Sequence, residues 1–351
     1  MRRRELSLLL TRGHDQFHAE KDELLTTGLR CSSYIQTDDT GTRHKGQNGY
    51  CTIINNESFA WFASTGSKSR ENFLSLLHRP WRTYTLTENA IAYLEGRKYP
   101  EKWLRVLRPY LGVTFLDHDA WQACMKEQGL TGEKRCRQAS EALIYASLIE
   151  HGAGHLTTFS DGARQFDVFK HSQCWIHAER GLAKIHPVND QQAMAQKWCR
   201  TWFWAIYDDL KAFKSEPDEE KAQKVLQGFH ALIQTKTCCE ALQDALSGLA
   251  LIEEELLLVL KDPGLPLHNN LSESQIREYV KRRKVSGGTR SDAGRQCRDT
   301  FASLKKTCRL YGLSFWNYLT DRLTGDGLFP RLSGLIESAC RSVPCGLSSS
   351  Y

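Results

Sequence analysis

The stretch SSYIQTDDTGTRHKGQNGYCTIINNESFAWFASTG, residues 32–66, limits what this chain can fold into more than any other part of it. Aromatic and β-branched residues alternate with polar ones, and Gly, Asn and Asp punctuate the runs, which is the pattern of half-buried strands closed by turns. Three strands are predicted, roughly 32–38, 49–54 and 58–64, with INNES as the hairpin turn between the second and third. On this reading the first strand ends in Asp38-Asp39, two acids where a buried strand meets a loop.

Most of the rest reads as helix. Residues 68–155 carry amphipathic stretches such as RENFLSLLH, PEKWLRVLRPYL and EALIYASLIEHG. A short strand follows in HLTTFSDGARQF, its apolar run climbing to Asp161 and Gly162, and HSQCWIHAERGLAKI then passes from a strand edge into a helix. From about 189 to 262 long helices are expected, with Trp198, Trp202 and Phe203 as core; Pro263 and Pro266 stop them. The last helices run on either side of Gly312, and the tail after Leu328, rich in Ser, Gly and Pro, is expected to be poorly ordered. The predicted division is a helical segment 1–30, a core 31–186 with a helical insert at about 68–155, a helical insertion 187–264, a C-terminal core part 265–325 and a flexible tail 326–351.

With 351 residues, 40% hydrophobic and 25% charged, the composition is that of a soluble globular protein, and the net charge of +6 is modest. What matters is where that charge sits. Between Arg277 and Arg309 eleven Lys or Arg face three acids, so this segment alone carries +8. The twelve cysteines are spread out without a CxxC pair, which points to reduced thiols in a cytoplasmic protein. The basic N-terminus, MRRRELSLLL, is followed at once by charged residues and is neither a secretory signal nor a membrane span.

Asp38, Asp161 and Glu273 stand out because each sits where local structure changes. Carboxylates converging from strand ends and a helix start are hard oxygen ligands suited to Mg²⁺ or Mn²⁺, and two such ions serve in-line phosphoryl displacement. Nearby Lys and Arg would then hold a polyanion's phosphates. Each acid also has an ordinary reading: Asp38 and Asp161 as turn acids, and Glu273 as the third residue of a capping box with Asn270 as N-cap, with Ser272 and Gln275 offering a competing cap. Cys174 and His177 form a CxxH that lacks an obvious second pair for zinc. The Gly-rich VSGGTRSDAGR has no GK[ST] and is no nucleotide P-loop; DNA backbone contact suits it better.

Taken together, QTDDTGTRHKGQNGY, SDGARQF, QCWIHAERGL and HNNLSESQIREYVKRRKVSGGTRSDAGRQCRDTFASLKKTCRLYGLSFWNYL resemble the catalytic part of the insertion-sequence-66 family of bacterial transposases, over roughly residues 30 to 325. The resemblance implies an α/β fold, a ribonuclease H-like mixed sheet of three antiparallel plus parallel strands flanked by helices, with a mostly helical insertion between the second Asp and the Glu. It implies metal-dependent cleavage of transposon ends and strand transfer, with two Mg²⁺ or Mn²⁺ ions held by Asp38, Asp161 and Glu273, and Asp39 as second choice for the first position. His177 resembles an active-site accessory of related transposases. Arg277, Lys281, Arg282, Arg283, Lys284 and Arg290 would bind DNA. Implied partners are transposon-end and target DNA, a second copy of the chain on that DNA and accessory transposition proteins, with no membrane. Two departures stand out. His268 replaces the Asp that usually opens the last block, and the coiled-coil and zinc-binding region usual in front of the catalytic part is not seen, as in a truncated copy, a split protein or a catalytic fragment. The rival readings are a catalytically silent DNA-binding remnant and a ribonuclease H-like nuclease.

Overall fold

The computed structural model describes residue 5 and residues 8–81 and 83–342. The chain folds as two units, one built from residues 1–156 and 272–351, the other from 157–271. Strand pairs of both senses make it a mixed α/β protein.

The first unit is centred on the predicted antiparallel strands, which are β1 (Tyr34–His44), β2 (Gln47–Asn55) and β3 (Ala60–Thr65). The hairpin at INNES joins β2 to β3 as expected. β1, however, does not end at Asp38. It runs six residues further and turns into β2 through Lys45 and Gly46, both with positive φ, 49° and 80°. Two consecutive left-handed residues make the two-residue hairpin turn whose twist matches the strands. The apolar pattern stops at Thr37 because the residues beyond it are polar or glycine and, apart from buried Thr42, half-buried or exposed, while the backbone ladder continues past them.

Helices cover both faces of this meander. α1 (Asp15–Cys31) lies on the face of Thr37, Ile54 and Trp61, with the Lys21 ammonium 4.5 Å from the Trp61 ring. Gly28 is required there: a Cβ would stand 2.6 Å from the Phe59 ring. The opposite face holds Cys51, Ile53 and Phe62, covered by Ile276 and Tyr279 of a later helix. The free edge of β3 is closed by side chains. Thr307, Ser303 and Asp299, four residues apart on one helix stripe, accept hydrogen bonds from the backbone N–H of Ala60, Phe62 and Ser64 at 3.2, 2.9 and 2.7 Å. Four residues of helix rise about 6 Å and two of strand about 6.8 Å, so the two repeats stay in step along the edge.

Residues after β3 are helical as predicted: α2 (Arg70–His78), α3 (Glu88–Gly96), α4 (Glu101–Leu107), α5 (His118–Glu127) and α6 (Glu133–Glu150). Leu86, Ile91, Leu94, Leu104, Trp121 and Leu143 belong to a core of their own. A ribbon of β4 (Tyr84–Thr85) and β5 (Thr114–Phe115), too short to leave a periodic trace, was not foreseen.

In the second unit, β6 (Thr157–Ser160) and β7 (Lys170–Gln173) pair in parallel. The helices α7 (Trp175–Ala183), α8 (Asp190–Ser215), α9 (Glu219–Ile233), α10 (Glu240–Leu251) and the single turn α11 (Glu253–Leu256) follow. α8 and α9 start on side-chain caps: Asn189 accepts from the Gln192 N–H and Asp218 from the Lys221 N–H. Trp175 fills the centre, 4.9 Å from Phe203 between ring centroids, and its Nε1 donates to the Leu256 carbonyl. The expected core stripe divides: Phe203 is buried, but Trp198 is 51% exposed. Five residues of helix turn the two about 140° apart, so they cannot share a face.

Back in the first unit are α12 (Asn270–Ser286), α13 (Asp292–Leu310), α14 (Phe315–Thr324) and α15 (Leu332–Ser342). α15 corrects the expectation of a loose tail: Leu332 and Ile336 are buried, and Arg331 and Glu337 pair with Glu23 and Arg30 of α1. Residues 343–351 of that tail lie outside the described residues. Among the described residues, no helix is long and apolar enough to cross a membrane, and every cysteine is a free thiol.

Candidate functional site

In the first unit, strand register and helix packing bring two of the predicted acids to one side of the sheet. Asp38 lies opposite Ile53, which lies opposite Phe62, so its side chain leaves β1 on their face. α12 packs on that face. Ser272 donates to Asn55 Oδ1 at 2.7 Å on the rung of Gln36, and Ile276 and Tyr279 continue onto Ile53 and Phe62. Further along, Arg283 reaches Thr40 Oγ1 at 3.4 Å. Ser272, Ile276, Tyr279 and Arg283 are therefore the sheet-facing stripe. On a helix of 100° per residue, Gln275, Glu278 and Arg282 lie on one flank of that stripe and Glu273, Arg277 and Lys284 on the other. Glu278 meets Lys305, Lys306 and Arg309 of α13, the helix on the β3 edge. The Glu273 flank thus faces the β1 side, the side of Asp38. The helix starts at Asn270, which makes Asn270 its first residue rather than its cap, so Glu273 is the fourth helical residue, one past the position a capping box would need.

Tyr279 anchors α12 through a buried polar cluster. Its hydroxyl donates to Asp299 Oδ1 at 3.0 Å, and Asp299 also accepts from the N–H and hydroxyl of Ser64. Burial pushes the Asp299 carboxyl up. It also pushes the Lys21 ammonium down to about 8, although the attraction of Asp299 opposes this. Sequence reading missed the cluster, because Lys21, Ser64, Tyr279 and Asp299 are far apart in the chain and none is unusual in its place.

The six predicted DNA-binding residues divide by direction. Arg277, Lys281, Lys284 and Arg290 are exposed, with no ion pair among the described residues. Arg283 is half-buried against the sheet, and Arg282 lies 3.6 Å from Glu278. For Glu278, burial pulls the carboxyl up, but the hydrogen bond from Lys305 and the charges of Lys306 and Lys305 prevail and hold it at about 2. The Gly-rich loop has a structural use that sequence reading did not give it. Gly288, at φ 126°, comes so close to the β1–β2 hairpin that a Cβ would stand 2.4 Å from the Arg43 carbonyl oxygen. The Thr289 N–H donates to that oxygen, and the Lys45 N–H donates to the Thr289 carbonyl. These amides hold the hairpin rather than being open to a phosphate.

In the second unit, Asp161 follows directly on β6, and its Oδ1 accepts from the Ala163 N–H at 3.0 Å; Oδ2 accepts from no described residue. His177 lies in the first turn of α7, two residues into the helix that β7 feeds. Because β6 and β7 are parallel, both residues belong to the C-terminal end of the pair, where ligands collect in such sheets. Cys174 is buried, and its Sγ accepts from the Asn269 N–H at 3.3 Å. Among the described residues, no group of three His, Cys, Asp or Glu that could hold a metal ion is assembled. As donors, the three half-buried carboxylates are of the hard-oxygen type that Mg²⁺ and Mn²⁺ take.

The first unit thus carries an acid within β1, an acid in the first turn of α12 and a cationic flank on that helix, and the second unit carries an acid directly after β6. Residues 157–297 match the Transposase IS66 family, and this chain belongs to that family. The match includes Asp161, His177 and Glu273, while Asp38 lies before it. The chain is 38% identical over 307 residues to y4jO of Sinorhizobium fredii (strain NBRC 101917 / NGR234), described as an uncharacterized protein, covering 87% of this chain and 96% of that one. A second uncharacterized protein of that strain, y4qI, is 26% identical over 165 residues, 43% of this chain and 30% of its own length. No solved structure matches.

Proposed function

We propose that this chain is a DDE-type DNA transposase of ribonuclease H-like fold that cleaves transposon ends and transfers the strand, with Asp38, Asp161 and Glu273 as its catalytic carboxylates. The observation that carries the reading is the shared side of Asp38 and Glu273, with Arg277 and Lys284 on the same helix flank as the glutamate. A carboxylate set beside cations suits a site that must hold divalent metal and polyanion together.

When bound, two Mg²⁺ or Mn²⁺ ions would activate the attacking oxygen and stabilise the leaving one. The chain's own part is to hold and align. Asp38 offers its carboxylate from a strand, which fixes its direction; Glu273 offers one from the first turn of a helix anchored by Ser272, Ile276 and Tyr279. Asp161 presents Oδ2 from a turn, and His177 serves beside the scissile phosphate. Arg277, Lys281, Lys284 and Arg290 bind backbone phosphates, while Arg282 and Arg283 are partly engaged by Glu278 and Thr40.

The test is Mg²⁺- or Mn²⁺-dependent cleavage and joining of a labelled duplex carrying the element's own ends, with Asp161→Asn and Glu273→Gln beside the unaltered chain. Both substitutions are expected to abolish cleavage and joining with the fold and DNA binding kept. Activity surviving in either would remove that acid from the set. DNA binding without cleavage in all three proteins would identify a silent DNA-binding remnant.

A further inference from the structure

We propose that Ser160, His171 and Glu255 are positioning residues that aim the Asp161 carboxylate at a divalent metal ion. This rests on Asp161 being a metal-holding carboxylate and adds a buried support that the three acids do not include. The hydrogen bonds run in one sense. The Gly162 N–H donates to Ser160 Oγ at 3.1 Å, and Ser160 Oγ lies 2.8 Å from His171 Nε2. His171 Nδ1 lies 3.1 Å from Glu255 Oε2. A carboxylate only accepts, so Nδ1 carries the hydrogen and Nε2 is left to accept that of the Ser160 hydroxyl.

A second tether reaches the same carboxylate. Gln173 Nε2 donates to Glu255 Oε2, and Gly162, at φ 93°, packs so tightly on Gln173 that a Cβ would stand 2.6 Å from its Oε1. Both chain neighbours of Asp161 are thereby tied, across β7, to Glu255. Glu255 is itself fixed: Ser172 Oγ donates to its carbonyl oxygen at 3.1 Å, and Leu256 and Leu257 beside it are buried. Burial pulls the Glu255 carboxyl up, but the hydrogen bonds from His171 and Gln173 outweigh it and keep the group below its ordinary range.

The arrangement is more than ordinary satisfaction of buried polar atoms. Ser160 is fully buried and the His171 side chain only 3% exposed, so apolar residues would fill these places without needing partners. A fully paired polar chain instead fixes one geometry, and here that geometry belongs to the turn carrying Asp161. Groups that orient a metal-binding carboxylate typically change metal affinity about 10- to 100-fold when removed.

The test is Mn²⁺ binding to the full chain, followed by the paramagnetic resonance signal of the free ion, with melting temperature in parallel. Ser160→Ala and Glu255→Gln are expected to weaken Mn²⁺ binding about 10- to 100-fold while melting stays within a few degrees, and Ser160→Thr, which keeps the hydroxyl, is expected to restore affinity. Unchanged affinity in Ser160→Ala and Glu255→Gln, with binding lost in Asp161→Asn, would overturn the positioning role and leave the metal role of Asp161 standing. Asp161→Asn binding Mn²⁺ like the unaltered chain would overturn the metal role itself. Should Ser160→Ala fail to fold, Glu255→Gln, nearly the same in shape, decides alone.

Discussion

The two units hold their acids by different physics. In the first, Asp38 and Glu273 take their direction from a strand and from a helix pressed on it by Ile276 and Tyr279, so alignment comes from packing over a wide contact. In the second, Asp161 sits on a turn whose neighbours are fixed by single hydrogen bonds through Ser160, His171 and Glu255. Packing spreads the load over many weak contacts and resists small changes. A hydrogen-bonded chain concentrates it, so that losing one oxygen can misdirect the acid without unfolding anything.

Three further experiments probe that contrast from the packed side. The largest expected effect is Asp299→Ala, which removes the buried acceptor shared by the Tyr279 hydroxyl and by the N–H and hydroxyl of Ser64; each buried donor left without a partner costs about 1–3 kcal/mol. Urea unfolding should show it, and a loss under about 1 kcal/mol would mean that apolar contacts alone hold α12. Next is Ile276→Ala, expected to cost about 2–5 kcal/mol as a buried large-to-small change. Here activity should fall together with stability, whereas Ser160→Ala should separate the two. The smallest is a pH effect at Glu278. Its carboxyl is held at about 2 in the folded chain against 4.5 ordinarily, so its stabilising contribution is fully present above about pH 5 and lost as pH falls towards 2. Stability of the Glu278→Gln variant should vary less with pH over that window; an unchanged profile would mean that the cations around Glu278 contribute nothing to the α12–α13 contact.

The sequence revealed those parts whose cause is local. The strands announced themselves by alternation, the hairpin at INNES by its turn residues, and α12 by its stop signals and dense charge. Beyond Thr37 the apolar members of the alternation disappear, so the extension of β1 to His44 is carried by the backbone ladder and by polar side chains such as Thr40 and His44, which leave no apolar alternation to read. Lys45 in a left-handed turn is likewise not a usual turn residue. Among the candidate site residues, Asp161 and Glu273 stand out in the sequence because ionisable groups at element ends are conspicuous, whereas Asp38 lies within β1 and not at the strand end that singled it out. The supports of these acids do not stand out: Glu255 reaches His171 across 84 residues, and Asp299 reaches Ser64 across 235. The exposure of Trp198 was missed for a simpler reason, since an aromatic run gives no indication of which member turns outward.

One feature of the first unit has a mechanical meaning. α12 is fastened to the sheet at both ends, by Ser272 on the rung of Gln36 and, through the Gly288 loop, by Thr289 at His44. Strand and helix are two rails joined by a crosspiece at each end, and such a frame resists shear. Tension applied by a bent duplex to the cations at the far end would be carried into the hairpin rather than tilting the glutamate at the near end. Lengthening the 287–291 loop by a single residue would loosen one crosspiece, and the slack would reach Glu273 at the other end of the helix.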